Sequence, residues 1–487
     1  MNHECGKCRW RCRVVFIVLV IAGIYLWIRL HRDRPVDYAD AEEHFKYGST
    51  GGERTAGIPV ALWNLLPDLF QKFLPGKGFE SLGFIYETNR AFPVGVSERN
   101  VQGINRVFVN CAVCHVGTVR DTPDSPRRII VGMPANNMDL QAFERFLFAC
   151  ARDEDFYSAR IVDEIAKRKS DDLLNRLLFR YIAVGLARQQ LITLAQRFSF
   201  MDREPDTGPG RVDTFNPPKV LLNFRMDALP TNEWVGNCDL PSIWNQSKRQ
   251  DMRLHWDGNN DSVDERNRSA AYGTGATPPT LDTNSLARMK DFIWTNTPPP
   301  WPYGIDAIKS TRGEKIYADY CARCHGKSGS DFTGEYVGQV TPIEKIQTDR
   351  RRLDSYTEDL CANQNLLYAA YPAERFSHFR KTFGYANQPL DGIWLRGPYL
   401  HNGSVPTLRE LLEPAANRRA EFFRGYDVID RARVGFISDV PEENGRKHFL
   451  YDTRLPGNGN FGHEGEEFGT NLSADDKDAV VEYLKTF

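Results

Sequence analysis

The chain has 487 residues, more than one compact domain usually holds, so two or three domains are expected. Its 62 Lys and Arg nearly balance 64 Asp and Glu, and this net charge of −2 lacks the basic excess that nucleic-acid binding needs, which excludes that partner class. With 41% hydrophobic residues and aromatics spread along its length, general disorder is excluded too.

The first element, within residues 1–35, reads as an export signal or membrane anchor. Lys7, Arg9, Arg11 and Arg13 precede an unbroken apolar run over residues 14–28. As a helix that run rises about 22 Å, short for a hydrocarbon core of about 30 Å and suited to a signal segment. Trp27, Arg29, Leu30, His31 and Arg32 follow, where a cleavage site needs small residues; Ala22 and Gly23 lie too deep. Arg13 and Arg29 can snorkel to lengthen the span. The expectation is an uncleaved inner-membrane anchor with the body facing the periplasm, the alternative being a cleaved, soluble periplasmic protein. Cys5, Cys8 and Cys12 are candidates for acylation or, with His3, for metal binding, though reduced thiols are the simpler reading.

A polar stretch leads into a first globular segment, residues 36–297. It contains Cys111-Ala112-Val113-Cys114-His115, and a second copy follows as Cys321-Ala322-Arg323-Cys324-His325. Each reads as a c-type haem attachment site, with two thiols for thioether bonds and the His as an axial iron ligand. Two residues between the cysteines put both sulfurs on one short helical turn. The alternative is a pair of structural thiol or zinc sites. From about 138 to 200 the pattern is helical: Phe143, Phe146 and Leu147, then Leu173, Leu174, Leu177 and Leu178 recur at helical spacing. Residues 202–218 form a turn-rich connector.

Pro298, Pro299, Pro300, Trp301 and Pro302 mark a boundary that cannot be helix interior. Beyond it, residues 303–487 read as a second cytochrome c domain, opened by a short helix running into Cys321. Its closing helix has Ser473 as cap, Asp475 and Asp476 in the first turn, and Val480, Val481 and Leu484 as apolar stripe. The fold class is mainly α, with two cytochrome c-type haem domains after an N-terminal anchor and no sustained strand alternation. Cys150, Cys238 and Cys361 allow at most one bridge among themselves.

With His115 and His325 as fifth ligands, the sixth position decides the chemistry: a strong ligand makes an electron-transfer centre, an open one admits an oxidant. His44, His255, His378, His401, His448 and His463 are the candidates for distal roles.

Three further segments carry a resemblance: Asp239-Leu240-Pro241-Ser242-Ile243-Trp244-Asn245, His255-Trp256-Asp257-Gly258, and the run from Gly397 through Pro398, Tyr399, Leu400, His401, Asn402, Gly403 and Ser404. In their order around the two haem motifs, the chain after about residue 90 resembles the bacterial dihaem cytochrome c peroxidase superfamily. That superfamily includes the peroxidases, the maturation enzyme MauG and the rubber oxygenase A-type dioxygenases. The resemblance implies two covalent haems c, the first, on His115, meeting the oxidant and the second, on His325, six-coordinate. It implies an electron relay at Trp256, where the plainer reading is a core Trp. It also implies a calcium ion between the haems, with Asp239 at a ligand position.

Two departures matter. Peroxidases have a Gln ten residues after the relay Trp and a catalytic Glu twenty after it; here those positions are Arg266 and Ala276. Alanine cannot move the proton needed for O–O cleavage; Asp264 and Glu265 are the nearby carboxylates. This shifts the resemblance toward the rubber oxygenase A-type branch, whose members use dioxygen at the first haem, in an apolar pocket, on alkene-containing substrates. For the sixth ligand of the second haem the candidates are His463, then His401, then Tyr385; otherwise His463 is a loop His and His401 a hydrogen-bonding partner. The leading expectation is therefore an oxidoreductase taking dioxygen and a small apolar unsaturated substrate, with a periplasmic electron donor or acceptor. The alternatives are a peroxidase or MauG-like enzyme, and a non-catalytic dihaem electron carrier in which His255 closes the first haem.

Overall fold

The first helix, α1 (Asn2–Leu30), runs straight to the edge of a small sheet. The computed structural model describes residues 2–168 and 173–487, and the side chains of His3, Cys5 and Cys8 lie outside the described residues. Within α1, the 21 residues Trp10–Leu30 are long and apolar enough to cross a membrane. They rise about 32 Å, so the helix exceeds the apolar run read from the sequence because its flanking Arg residues belong to it.

The sheet has the order β1-β3-β4-β2: β1 (Asp33–Pro35), β2 (Ile58–Pro59), β3 (Val96–Val101) and β4 (Ile104–Val109). Helices α2 (Ala41–Tyr47) and α3 (Val60–Leu69) flank β2. Gln102 and Gly103, both at positive φ, form the tight β3–β4 turn. No strand was expected here, because β3 turns polar residues inward. Ser97 bonds to Glu53, and Arg99, almost fully buried, bonds to Asp33 at 2.6 Å and to Asp282. Ion pairing replaces the apolar alternation that marks a strand in sequence.

The first Cys–His motif follows in α4 (Ala112–His115), which leads into the ladder of β5 (Val116–Val119) and β6 (Arg128–Val131). The helical stretch comes next: α5 (Leu140–Arg152), α6 (Ser158–Lys167), α7 (Leu173–Leu178), a π turn Phe179–Ala183, and α8 (Val184–Arg197). Asp139 caps α5 by accepting from Ala142 N at 2.9 Å. Phe143 and Phe146 pack with Trp63, Phe79 and Phe84 in an aromatic core. The leucine stripe of α7 departs from expectation: Leu173 and Leu177 are exposed.

Further along come β7 (Arg211–Asp213), α9 (Asn216–Leu221), β8 (Asn237–Asp239), α10 (Val263–Gly273) and α11 (Thr283–Thr295). The proline run is held in place rather than free: Trp301 packs edge-on to Trp394 at 5.4 Å, and Trp394 Nε1 donates to Pro299 O. Then α12 (Ala307–Tyr320) runs into α13 (Ala322–His325) and packs on the closing helix Ala474–Leu484. Gly313 is required at that crossing, since a Cβ there would lie 1.9 Å from Ala479 O. Ser473 caps the closing helix, accepting from Asp476 N.

The two halves interleave. Val119, Met133 and Trp244 share a core with Trp394, Tyr399 and Val480. Arg120 bonds to Asp427 at 2.7 Å and to Glu443 at 2.8 Å. With 42% of residues helical, an apolar N-terminal helix and only short strands, the chain is helix-rich as expected. Cys150, Cys238 and Cys361 are buried free thiols, so the one bridge allowed among them does not form.

Candidate functional site

Cys111 and Cys321 each stand at the N-terminus of a four-residue helical turn, α4 and α13, so both cysteines and the His of each motif share one turn. In both, the His Nδ1 faces a backbone carbonyl: Pro241 O at 2.9 Å from His115, and Gln388 O at 2.8 Å from His325. A carbonyl only accepts, so Nδ1 donates and Nε2 is left unprotonated, ready to bind a metal. Burial, with Arg266 nearby, pushes His115 down to about 4; burial lowers His325 as well. Both imidazoles are thus neutral at ordinary pH.

The space opposite each His differs. The ring of His463 faces that of His325, with centres 6.3 Å apart and planes at 44°. Two imidazoles bound to one metal at about 2.0–2.1 Å, each ring centre roughly 1.1 Å behind its nitrogen, have centres about 6.3 Å apart. His463 holds this position at φ +48, following Gly462 at φ +78, where a Cβ would lie 2.3 Å from the Gln347 backbone. His463 N donates to Ile346 O at 2.8 Å. Its Nδ1 is buried with no partner beyond its own backbone, and burial, reinforced by His325, pushes it down to about 3. These residues fit an iron between them.

His401 and Tyr385 engage each other instead. Their rings stack at 4.0 Å, and His401 Nε2 lies 3.0 Å from the Tyr385 hydroxyl. That hydroxyl donates to Asp349 O at 2.7 Å, so Nε2 of His401 carries the other proton and is no free ligand.

His115 faces a cavity of about 1080 Å³, lined by Cys111, Cys114 and His115 on one side and by His255, Trp256 and Arg266 among others. Apolar side chains such as Leu62, Phe108, Phe143 and Leu147 make much of its wall. No second imidazole is paired with His115 in this way among the described residues. The Arg266 guanidinium has no hydrogen bond or ion pair to protein among the described residues, and burial, with Arg249 beside it, pushes it down to about 10. Arg249 and Arg396 also line the cavity and share one carboxylate, Asp391. This buried cationic surplus fits the carboxylates that a haem carries.

The remaining expected residues fall into place unequally. His255, at φ +64, lies with Nδ1 2.6 Å from Asn259 Oδ1 and its ring parallel to Phe379. Trp256 reaches both halves. It lines the cavity, donates from Nε1 to Asp239 O at 2.7 Å, and packs against Ile343, Leu353 and Tyr385. Ile346, which accepts from His463, packs on the same cluster. The Asp239 carboxylate pairs with Arg424 at 2.5 Å, so a guanidinium stands where the resemblance put calcium. Among the described residues no three His, Cys, Asp or Glu converge as a metal cluster.

Ala276 lies in a small apolar core with Ala271, Leu281 and Leu286; Leu286 lines the cavity and Ala276 itself does not. Neither neighbouring carboxylate replaces the missing Glu. Glu265 is buried and accepts from Ser377 N and His378 N, while Asp264 pairs with Arg268 on the outside. Carboxyls that sequence reasoning missed do line the cavity: Glu144, Glu204 and Asp213. Burial, with Asp213 nearby, pushes Glu144 up to about 7, and Glu204 is raised for the same reasons. Glu144 follows Phe143 on the inner side of α5, a position that could have flagged it. Glu204 sits in the turn-rich connector and carried no signal. Gln388 was also missed. Its carbonyl orients His325, and its side-chain Oε1 accepts from Arg249 Nη1 at 3.0 Å on the cavity wall.

Residues 384–424, which include Tyr385 and His401, match a family model described as RoxA-like, cytochrome c-like. Over that segment the chain is similar to a RoxA-like cytochrome c domain, a kind that implies covalent haem c, and this supports a c-type cytochrome oxidoreductase kind of function. It is 30% identical over 292 residues to the uncharacterized protein y4iM of Sinorhizobium fredii (strain NBRC 101917 / NGR234), covering 51% of this chain and 64% of that protein's length. It is 25% identical to the uncharacterized protein y4iJ of the same strain, over 606 aligned positions that take in 98% of this chain and 99% of the relative.

Proposed function

We propose that this chain carries two covalent haems and works outside the cytoplasm as an oxidoreductase held to the inner membrane by α1, using dioxygen to cleave or oxygenate an apolar unsaturated compound. The observation that supports this most is the inequality of the two Cys–His turns. His325 has an imidazole across from it, whereas His115 has a large, mostly apolar cavity. Bound haem supplies a redox-active iron at each turn, and its axial ligands decide whether it passes electrons or meets an oxidant.

The chain's own residues account for the rest. Pro241 and Gln388 orient the two proximal imidazoles. His463 closes the second site. Leu62, Phe143 and Leu147 give a wall that receives hydrocarbon and excludes water. Arg249 and Arg266 would hold the carboxylates of a bound haem. Glu144, poised near neutrality, can hold or release a proton at the wall. Trp256 joins the two sites, and an extracytoplasmic donor or acceptor serves the second. Cleaving a carbon–carbon double bond with both atoms of dioxygen gives two carbonyls and consumes no external electrons. That stoichiometry suits a site whose peroxidase-type Glu position is Ala276.

The test is to incubate the haem-loaded protein with squalene under ¹⁸O₂ and analyse the products by mass spectrometry. Labelled carbonyl or oxygenated products are expected. Failure to consume dioxygen, alongside rapid peroxide turnover with a reduced cytochrome, would replace this reading with a peroxidase. Two low-spin haems and neither activity would leave an electron carrier.

A further inference from the structure

Along α7 and α8 the protein turns large apolar side chains outward. Leu173 is 73% exposed, Tyr181 77%, Ile182 52% and Leu186 54%, and Leu177 is exposed with them. The two helices run into each other through the π turn Phe179–Ala183. Its extra residue shifts the register, so that 173, 177, 181–182 and 186 follow one side of the rod. A helix packed on a water-soluble body carries such a stripe inward; here it carries it outward.

Two observations say what covers it. The apolar helix α1 ends at the same place: the Arg29 guanidinium donates to Asn175 of α7 and to Gly103 O in the β3–β4 turn. The mouth of the cavity lies there too. Leu30, the last residue of α1, lines the cavity together with Ile182 and Leu186, and all three side chains are also exposed to the outside. The end of the membrane-length helix, the apolar stripe and the entrance to the site therefore share one edge. Arg32 and Arg180, both exposed, flank that edge with charge suited to lipid phosphates.

We propose that the stripe from Leu173 to Leu186 lies in the leaflet where α1 emerges, so that the cavity opens onto lipid and takes its apolar ligand from the bilayer rather than from water. This rests on reading α1 as an anchor and the cavity as the substrate site. A helix with an apolar face and basic flanks settles at the depth of the headgroups and upper acyl chains, with Tyr181 at the interface as aromatic belts have it. An apolar ligand concentrates in the bilayer, where an entrance facing water would not meet it.

The test uses the full-length, haem-loaded protein in nanodiscs of phosphatidylcholine and phosphatidylglycerol, with Cys5, Cys8 and Cys12 replaced by Ser. Single nitroxide labels are placed through Val20→Cys, Tyr181→Cys, Leu186→Cys and Ile308→Cys. Power saturation compares collisions with oxygen, which favours lipid, and with a water-soluble nickel chelate. Labels at 20, 181 and 186 are expected to meet oxygen several-fold more than nickel, and the label at 308, on the exposed side of α12, the reverse. Nickel dominating at 181 overturns the seating of the stripe. Oxygen dominating at 181 and nickel at 186 overturns the lipid-facing entrance. Nickel dominating at 20 overturns the anchor reading and the proposal with it. Leu177→Cys stands in for Tyr181→Cys should that variant lose haem. No turnover enters the readout, so a lipid-facing mouth on a protein inert toward squalene would remove the oxygenase reading and leave the seating of the stripe and the lipid-facing entrance standing.

Discussion

The turn around His115 and the turn around His325 are built alike and end differently. Each has Cys at the start of one helical turn, each has its His Nδ1 donating to a carbonyl, and each imidazole is kept neutral by burial. Across from His325, a Gly- and Asn-rich loop brings His463 to within a shared-metal distance. Across from His115, α3, α5 and α8 contribute side chains to a cavity wall. On the proposed reading, the pentapeptide sets where a haem would attach, and the element opposite sets what that haem could do.

The largest effect comes from removing one attachment site. Cys111→Ser with Cys114→Ser, or Cys321→Ser with Cys324→Ser, is expected to lower haem retained after acid–acetone extraction from two per chain to one. Only the first pair should abolish substrate binding in the cavity while leaving a low-spin haem behind. A wild-type protein retaining a single haem, read by the pyridine haemochrome, would remove the comparison altogether.

The next effect sharpens the contrast. His463→Ala should convert one low-spin haem to high-spin without haem loss, making the second site resemble the first. His401→Ala should leave coordination unchanged and cost about 1–3 kcal/mol, because the buried Tyr385 hydroxyl loses the donor at His401 Nε2 and keeps only its bond to Asp349 O. Electron paramagnetic resonance and denaturant titration read the two outcomes. A high-spin signal from His401→Ala alone would reverse the assignment.

Ala276→Glu probes the first site's distance from peroxidase chemistry. Residue counting suggests that a Glu there would restore an acid–base group. The structure makes the opposite outcome the expected one. The carboxyl would enter a small apolar core, costing about 1–3 kcal/mol for burial and about 1–3 kcal/mol for overpacking, with no gain in peroxide turnover. A several-fold gain would show that the register reaches the cavity after all.

What could be read from sequence follows from how locally each feature is determined. The Cys–His turns, the helices of 138–200 and the closing helix rest on short-range spacing and were legible. The β3–β4 hairpin was not, because Ser97 and Arg99 occupy inward positions and are stabilised by Glu53, Asp33 and Asp282, distant in sequence. His463 was legible as a candidate because Gly462 and its neighbours permit an unusual backbone; that it faces His325 was not. The stripe at Leu173 and Leu177 shows the limit of periodicity, which tells which residues share a face and not what covers that face. Glu144 and Glu204 became visible only once the cavity existed.

Trp256 is where the two sites meet, and the smallest predicted change is the most informative about their coupling. Its indole lines the cavity, donates to Asp239 O at 2.7 Å, and packs on the Ile343, Leu353 and Tyr385 cluster that also contacts Ile346 behind His463. Trp256→Phe keeps an aromatic ring and loses the donor and the oxidisable indole. Stability should fall by only about 1 kcal/mol, and both haems should remain. Electron transfer between them, followed by stopped-flow reduction, should slow about tenfold, equivalent to roughly 1.4 kcal/mol of barrier. An unchanged rate would redirect attention to the other link between the sites. There Gln388 accepts from Arg249 on the cavity wall with its side chain while its carbonyl holds His325. Gln388→Leu keeps that carbonyl and cuts the side-chain contact, so slowing in this variant and not in Trp256→Phe would assign the coupling to the arginine side of the cavity.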